Sequence, residues 1–402
     1  MSCLSITGKA MPSALDRTLT NLPRSAALVA AAVFLLLDLG CRLAYPGWHP
    51  DRFTSPNRSW AWWAVQDLRR QGRTPDLVIM GSSLMLSVVN DGDATYLQRP
   101  EDAVYHHRSR YLEDLLRKNY QADVRTFSLA IGGQMASDAY ALVSTLFAGG
   151  GRPKVIVYGI APRDFIDSMC SDPASTETFR FMARAGNPEL SAALARRTLW
   201  GRADAALRAA CFMYDKRIDL VACEQQAARA VCGLLAARAA DTGKTLEALR
   251  FTSKLAAGEE AAPGEFISRP YKAATFKYTD NLAEYRLRYS VFNARMYATE
   301  IAYLEKLLKY GRDAGINVVL VNMPLTRENM EIMPPGIYHR YLADVSGAAR
   351  ACGACFEDLN QPGLFSHDDF ADSVHVNGRG AERLLDILCA KLAERSQVAF
   401  RP

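Results

Sequence analysis

Beyond residue 75 the chain alternates short, continuously apolar runs with longer segments whose apolar residues recur every three or four positions. Asp76-Leu-Val-Ile-Met80 is one such run, closed by Gly81; Val124–Leu129, Lys154–Ile160, Asn317–Met323 and Cys355–Leu359 are the others. Short apolar runs that do not alternate predict strands buried on both faces. Between them, Arg108–Asn119 sets Tyr111, Leu112, Leu115 and Leu116 on one side of a helix. Ala136–Phe147, Ala294–Ala314, Tyr338–Ala351 and Ala381–Ala393 carry the same helical spacing. Buried strands separated by amphipathic helices predict an α/β domain with a mainly parallel sheet.

The alternation fails in two places. From Asp167 to Arg288 alanine and arginine dominate, as in Ala192–Arg197 and Ala227–Ala240. No convincing strand appears there, and Pro263-Gly264 and Pro270 punctuate the later part. This predicts a helical insertion after the third strand. No internal repeat suggests a solenoid. The second break is Ala26–Leu37, twelve apolar residues without a charge. Including Leu39 to Tyr45 brings the stretch to the roughly 18–20 residues a spanning helix needs, with Arg42 able to snorkel and Asp38 one turn away. Lys9, Arg17 and Arg24 precede it, which puts the N-terminus inside and the body outside. The organisation expected is a cytoplasmic tail over 1–25, a transmembrane anchor over 26–45 and a Trp-rich juxtamembrane segment over 46–75. The α/β domain follows in two parts, 76–167 and 289–396, around an insertion over 168–288. Its five strands suit a flavodoxin-like sheet, whose ligands bind beyond the carboxyl ends of the strands. The apolar run also suits the core of a cleaved signal peptide, though no A-x-A site follows. A lipoprotein-type Cys41 and a buried core helix are the other readings. Trp48, Trp60, Trp62 and Trp63 fit either an interfacial belt or the apolar start of the folded domain.

Composition narrows the classes. Of 402 residues 49% are apolar and 23% charged, which excludes wholesale disorder and a polytopic membrane protein. With 48 Lys+Arg against 43 Asp+Glu the net charge is +5, and the basic residues form no stripe, so no nucleic-acid partner is expected. Cys352-Gly-Ala-Cys355 stands without a second C-x-x-C or a histidine at zinc-site spacing, leaving a metal site, a redox dithiol, a structural pair or unpaired core cysteines as readings. Cys170, Cys211, Cys223 and Cys232 are candidates for disulfides stapling an exported insertion. No glycine-rich phosphate loop, metal cluster or dinucleotide fingerprint occurs, so neither cofactor nor metal is expected.

The candidate chemistry lies at strand ends. Gly81-Ser82-Ser83-Leu84 closes the first strand with a turn that lifts a hydroxyl above the sheet edge. Asp372-Ser-Val-His375 lies in a loop before the last helix. A serine needs a base to attack at neutral pH, and an imidazole serves best when a carboxylate fixes its tautomer. With these two blocks the chain resembles the SGNH/GDSL hydrolase superfamily, in its membrane-anchored, exported branch. That branch includes proteins of alginate O-acetylation and of lipoteichoic acid D-alanylation. The first block, usually Gly-Asp-Ser-Leu, makes Ser83 the nucleophile. The last, Asp-x-x-His, assigns Asp372 and His375 and continues into Val376-Asn377-Gly378. Ser128-Leu-Ala-Ile-Gly-Gly-Gln134 resembles the second block and puts the oxyanion glycine at Gly133. The third block, usually Gly-x-Asn-Asp, reads Gly159-Ile-Ala-Pro-Arg-Asp164, so the oxyanion-holding Asn is missing. Either Arg163 supplies that donor, or the hole rests on the Ser83 and Gly133 N–H groups, or the chain is a degenerate binding member. Arg163 and Asp164 also make sense as an ion pair tying the third strand's end to the insertion.

The resemblance implies an exported, anchored serine acyl-transfer enzyme, an O-acyltransferase or an esterase. It would sit in the cytoplasmic membrane by a single pass, with its catalytic domain periplasmic or extracellular. Its partners would be an acyl donor, a polysaccharide or other glycan acceptor and, for a transferase, a multispanning membrane acyltransferase. The alternative from another class is a non-catalytic glycan-binding or assembly factor on the same scaffold.

Overall fold

The computed structural model describes residues 14–55, 58–196, 199–241, 267–268 and 278–396. Cys3, Lys9, Pro263, Gly264 and Pro270 lie outside these residues. The chain forms two compact units, Met1–Ser55 with Thr198–Gly258, and Pro56–Arg197 with Glu259–Pro402.

The larger unit is built on five parallel strands: β1 (Leu77–Gly81), β2 (Thr126–Ser128), β3 (Val155–Ile160), β4 (Asn317–Asn322) and β5 (Cys355–Asp358). Their spatial order is β2-β1-β3-β4-β5, the doubly wound arrangement in which the chain reverses direction between β1 and β3. Each predicted run supplies one strand, shortened by a residue or two at its ends. Every residue of β1, β2 and β3 is buried, as non-alternating apolar strands require. Pairing sets Gly81 beside Gly159 and Asn322 between Ile160 and Asp358, so the carboxyl ends line up along one edge.

Helices cover both faces. On one side α1 (Ser83–Leu97) packs against α5 (Gly378–Ser396) and the helix Arg110–Tyr120. On the other, α2 (Ala136–Leu146), α3 (Ala294–Ala314) and α4 (Ile337–Cys352) pack together. Contact between α1 and α5 is close because Gly92 has no side chain: a Cβ there would stand 2.9 Å from Leu385 Cδ1. Trp48 ends the N-terminal helix and is exposed, whereas Trp60, Trp62 and Trp63 belong to the larger unit. Trp60 opens the helix Trp60–Arg70, Trp62 is buried, and Trp63 meets the Trp62 and Tyr105 rings edge-on at 4.9 and 5.0 Å.

The stretch expected as one insertion divides between the units. Helix Glu177–Arg184 belongs to the larger unit and puts Phe179 and Met182 into its core. A two-residue strand, Ile267–Ser268, pairs antiparallel with Glu101–Asp102, where no strand was expected.

The smaller unit joins the N-terminal helix (Ala14–Trp48) to Leu199–Ala210, Phe212–Asp215 and Arg217–Asp241. Within the N-terminal helix, Ala26–Trp48 is long and apolar enough to cross a membrane. The expected bridges among Cys170, Cys211, Cys223 and Cys232 do not form; all four are free thiols. Cys170 belongs to the larger unit and the others to the smaller. Cys211 Sγ is otherwise engaged, 3.3 Å from the Asp38 carboxylate and accepting the Tyr214 N–H at 3.4 Å.

Candidate active site

At the end of β1 the backbone turns through Gly81 at φ +150°. A side chain there is impossible, since a Cβ would lie 2.7 Å from both the Gly159 carbonyl oxygen and Met85 Cβ. The Gly81 N–H donates to Gln134 Oε1 at 3.0 Å, and Gln134 Nε2 donates to the Leu129 carbonyl at 2.9 Å. This buried amide ties the first block to the second. Ser82 is the N-cap of α1, and Ser83 is its first residue. The serine therefore sits where helical N–H groups lack intrahelical acceptors and the helix dipole favours negative charge.

The second half of the site is a turn after β5. Phe370 and Val376 form an isolated antiparallel bridge, and the Ala371 N–H donates to the His375 carbonyl at 2.8 Å, closing the turn between them. Inside it the Asp372 carboxylate accepts the backbone N–H groups of Val374 (2.9 Å) and His375 (2.8 Å). Its Oδ2 lies 2.7 Å from His375 Nδ1, and His375 Nε2 lies 2.8 Å from Ser83 Oγ. The three residues nominated from sequence thus form one hydrogen-bonded chain across 292 positions. Burial alone would push the Asp372 carboxyl up, but the His375 side-chain bond and charge, with the two backbone donors, hold it below its usual value.

Side chains that sequence reasoning missed hold this turn. Between the acid and the base, Ser373 is fully buried. Its N–H and hydroxyl both donate to Asn281 Oδ1 (3.0 and 2.5 Å), and Asn329 Nδ2 donates to its Oγ at 3.0 Å. The Thr326 N–H and hydroxyl donate to its carbonyl at 3.2 and 3.1 Å. Two residues earlier in the turn, the Ala371 carbonyl accepts the Thr279 N–H at 2.9 Å. Asn281 lies 92 residues from Ser373 in sequence and carries no motif, so nothing local announces it.

Gly133, in the second block, has φ +77°. A Cβ there would stand 3.6 Å from Arg163 Nη2, so the guanidinium borders the glycine that the resemblance nominates. Arg163 is 8% exposed and already paired, with Asp167 at 2.9 Å and Asp164 at 3.5 Å. Asp167 also takes Arg288 at 2.6 Å, so two guanidinium groups share one buried carboxylate. Asp164, wholly buried, accepts the Ala161 N–H at 3.0 Å, and burial pushes its carboxyl up to about 6 against the pull of Arg163. Both sequence readings of Arg163 therefore have a structural counterpart, a place beside Gly133 and a carboxylate network. On the other flank Trp60 approaches Gly132, whose Cβ would sit 3.7 Å from the indole.

Among the described residues no group of His, Cys, Asp and Glu is arranged to hold a metal ion. Cys352 ends α4 and Cys355 opens β5, both as thiols, lining a cavity of about 480 Å³ at the amino-terminal edge of the sheet.

No protein-family profile and no curated protein matches the sequence. Among solved structures, the fold is similar to a catalytic mutant of an acetylxylan esterase from Geobacillus stearothermophilus, with 12% identity and a TM-score of 0.34. That match covers 82% of this chain and 97% of the esterase. The functional reading rests instead on the geometry of the site.

Proposed function

We propose that this protein is an exported, membrane-anchored serine acyl-transfer enzyme acting on a polysaccharide, as an O-acyltransferase or an esterase. The observation that carries the reading is the relay Ser83 Oγ–His375–Asp372, with contacts of 2.8 and 2.7 Å. Both lie within the roughly 2.6–3.2 Å a proton relay requires.

In this reading His375 Nε2 takes the Ser83 proton as Oγ attacks the acyl carbonyl, and Asp372 holds the ring in the tautomer with Nε2 free to accept. Negative charge builds on the carbonyl oxygen beside the N-terminus of α1. There the Ser83 and Gly133 N–H groups are the backbone donors, and Arg163 is the charged one in place of the missing Asn. His375 returns its proton to the departing alkoxide. A second hydroxyl, from a glycan or from water, then repeats the sequence on the acyl-serine and frees Ser83. The export and anchoring are supported by the apolar helix Ala26–Trp48 and by the basic residues before it.

Triad members act as a unit, so their losses do not add. Ser83→Ala and His375→Ala are each expected to abolish nearly all hydrolysis of p-nitrophenyl acetate, with the double variant little worse. Asp372→Asn is expected to cost less than either. Added oligosaccharide that accelerates nitrophenol release and becomes acylated identifies a transferase; release indifferent to it identifies an esterase. Wild-type turnover equal to that of Ser83→Ala would sink the reading.

A further inference from the structure

The smaller unit contains a contact that a simple anchor does not need. Along the apolar part of the N-terminal helix the side chains stand exposed; only 6% of the spanning window is buried. The buried side chain there is the charged one, Asp38, at 7% exposure. Its carboxylate accepts the N–H groups of Met213 (2.7 Å) and Phe212 (3.2 Å), with the Cys211 thiol at 3.3 Å. Further along the same helix, Arg42 lies 5.7 Å over the Phe212 ring. The Tyr45 hydroxyl donates to Asp219 at 2.7 Å. Residues 211–219 are thus fastened along Asp38–Tyr45, beginning one residue after the charge-free run ends.

Charges beside this fastening are paired among themselves. Arg208 meets Asp204 at 2.6 Å and Asp215 at 3.3 Å, Lys216 meets Asp215 at 2.9 Å, and Arg217 lies 4.5 Å over the Tyr214 ring. Mutual pairing of this kind lowers the cost of a poorly solvating neighbour. The helices leaving the fastening point expose large apolar groups: Trp200 at 85% on one, Val231 and Leu234 on the other. An aqueous surface gains nothing from them, whereas the interfacial layer of a bilayer takes up Trp and Leu beside paired charges.

We infer that the segment Leu199–Asp241 is a membrane-contacting element, held by Asp38 just past the charge-free run and within the Ala26–Trp48 span, and laying Trp200 and Leu234 into the bilayer. The occupant is lipid, because the segment is bolted to the very helix that carries the apolar span. The inference rests on the anchoring reading given above, and the test separates the two.

The full chain is reconstituted into phosphatidylcholine vesicles with and without bromine on the upper acyl carbons, and tryptophan emission is recorded for wild type and Trp200→Phe. Flotation of the vesicles after carbonate washing reports the anchor independently. The expected result is flotation of both proteins, with a bromine-dependent loss of emission in wild type that shrinks in Trp200→Phe. Flotation with an equal bromine effect in both proteins overturns the membrane contact and leaves the anchor standing. Trp200 emission that changes with protein concentration in detergent and not with bromine assigns the face to a second copy and overturns it too. Failure to float overturns the anchoring reading and this inference together.

Discussion

At the scale of single residues, Arg163 carries the most consequential departure from the resembled pattern. A guanidinium beside Gly133 can serve an oxyanion, yet it is also a buried cation between Asp164 and Asp167. Removing one oxyanion donor typically costs about 10²–10³ in turnover, whereas removing a buried ion-pair partner costs about 3–5 kcal/mol of stability. Arg163→Lys keeps the charge and loses the planar fork, and is expected to lower kcat by about tenfold or more at nearly unchanged melting temperature. A drop in melting temperature with kcat intact would leave Arg163 a structural residue only. Asn281 invites a second test, since it hydrogen-bonds to neither Ser83 nor His375 but accepts two hydrogen bonds from Ser373, between Asp372 and His375. Asn281→Ala is expected to destabilise the protein by about 1–2 kcal/mol through unpaired Ser373 groups. It should also lower kcat without raising KM, because a loosened turn misplaces the imidazole rather than the substrate. Steady-state kinetics alongside thermal melts read both effects.

At the scale of elements, the five strands and the helix Ala294–Ala314 were legible because burial on both faces, or on one stripe, leaves its own periodicity in the sequence. Helix α1 was not. Its stretch Ser87-Val-Val-Asn-Asp-Gly-Asp93 mixes poor helix formers with apolar residues, and it is buried nearly all round between sheet and α5. Its polar groups answer to distant partners: Asp93 accepts the N–H groups of Arg110 (2.7 Å) and Tyr111 (2.9 Å) and lies 2.8 Å from His106. The hydrogen-bonded set Ser83, His375 and Asp372 was legible as two short blocks, each completing a strand end or a turn locally. Its supports, Gln134, Asn281 and Asn329, were not, because their work is done across the fold. The loop before Arg110–Tyr120 supplies a pH test. His107 is buried and stacked on Phe127 with ring centroids 5.3 Å apart, and burial pushes its imidazole down to about 4. The folded state then binds fewer protons than the unfolded chain between pH 4 and about 6.5, so stability rises with pH through that window and is lost on acidification. His107→Gln should lose less stability than wild type between pH 7 and 4, by roughly 3 kcal/mol. Chemical denaturation at several pH values checks this, and parallel curves for the two proteins would contradict it.

For the molecule as a whole, the chain passes between its two units at residues 55–56, 197–198 and 258–259. Cutting away the first 55 residues would therefore do more than free an ectodomain. It would strip Asp38 from Met213, Tyr45 from Asp219 and Ser55 from Gln225, the last bond being 2.7 Å, and so remove the bonds that fasten Leu199–Asp241 to the N-terminal helix. Activity is best sought in the full chain held in detergent. The central claim is that Ser83 is a nucleophile activated by His375, and a fluorophosphonate asks this of one atom, since the reagent phosphonylates an activated serine and leaves ordinary hydroxyls untouched. Incubation near neutral pH, followed by intact mass and peptide sequencing, should give a single adduct on Ser83 that forms much more slowly in His375→Ala. No adduct, or an adduct elsewhere with Ser83 unmodified, would contradict the account and leave a binding protein on this α/β scaffold.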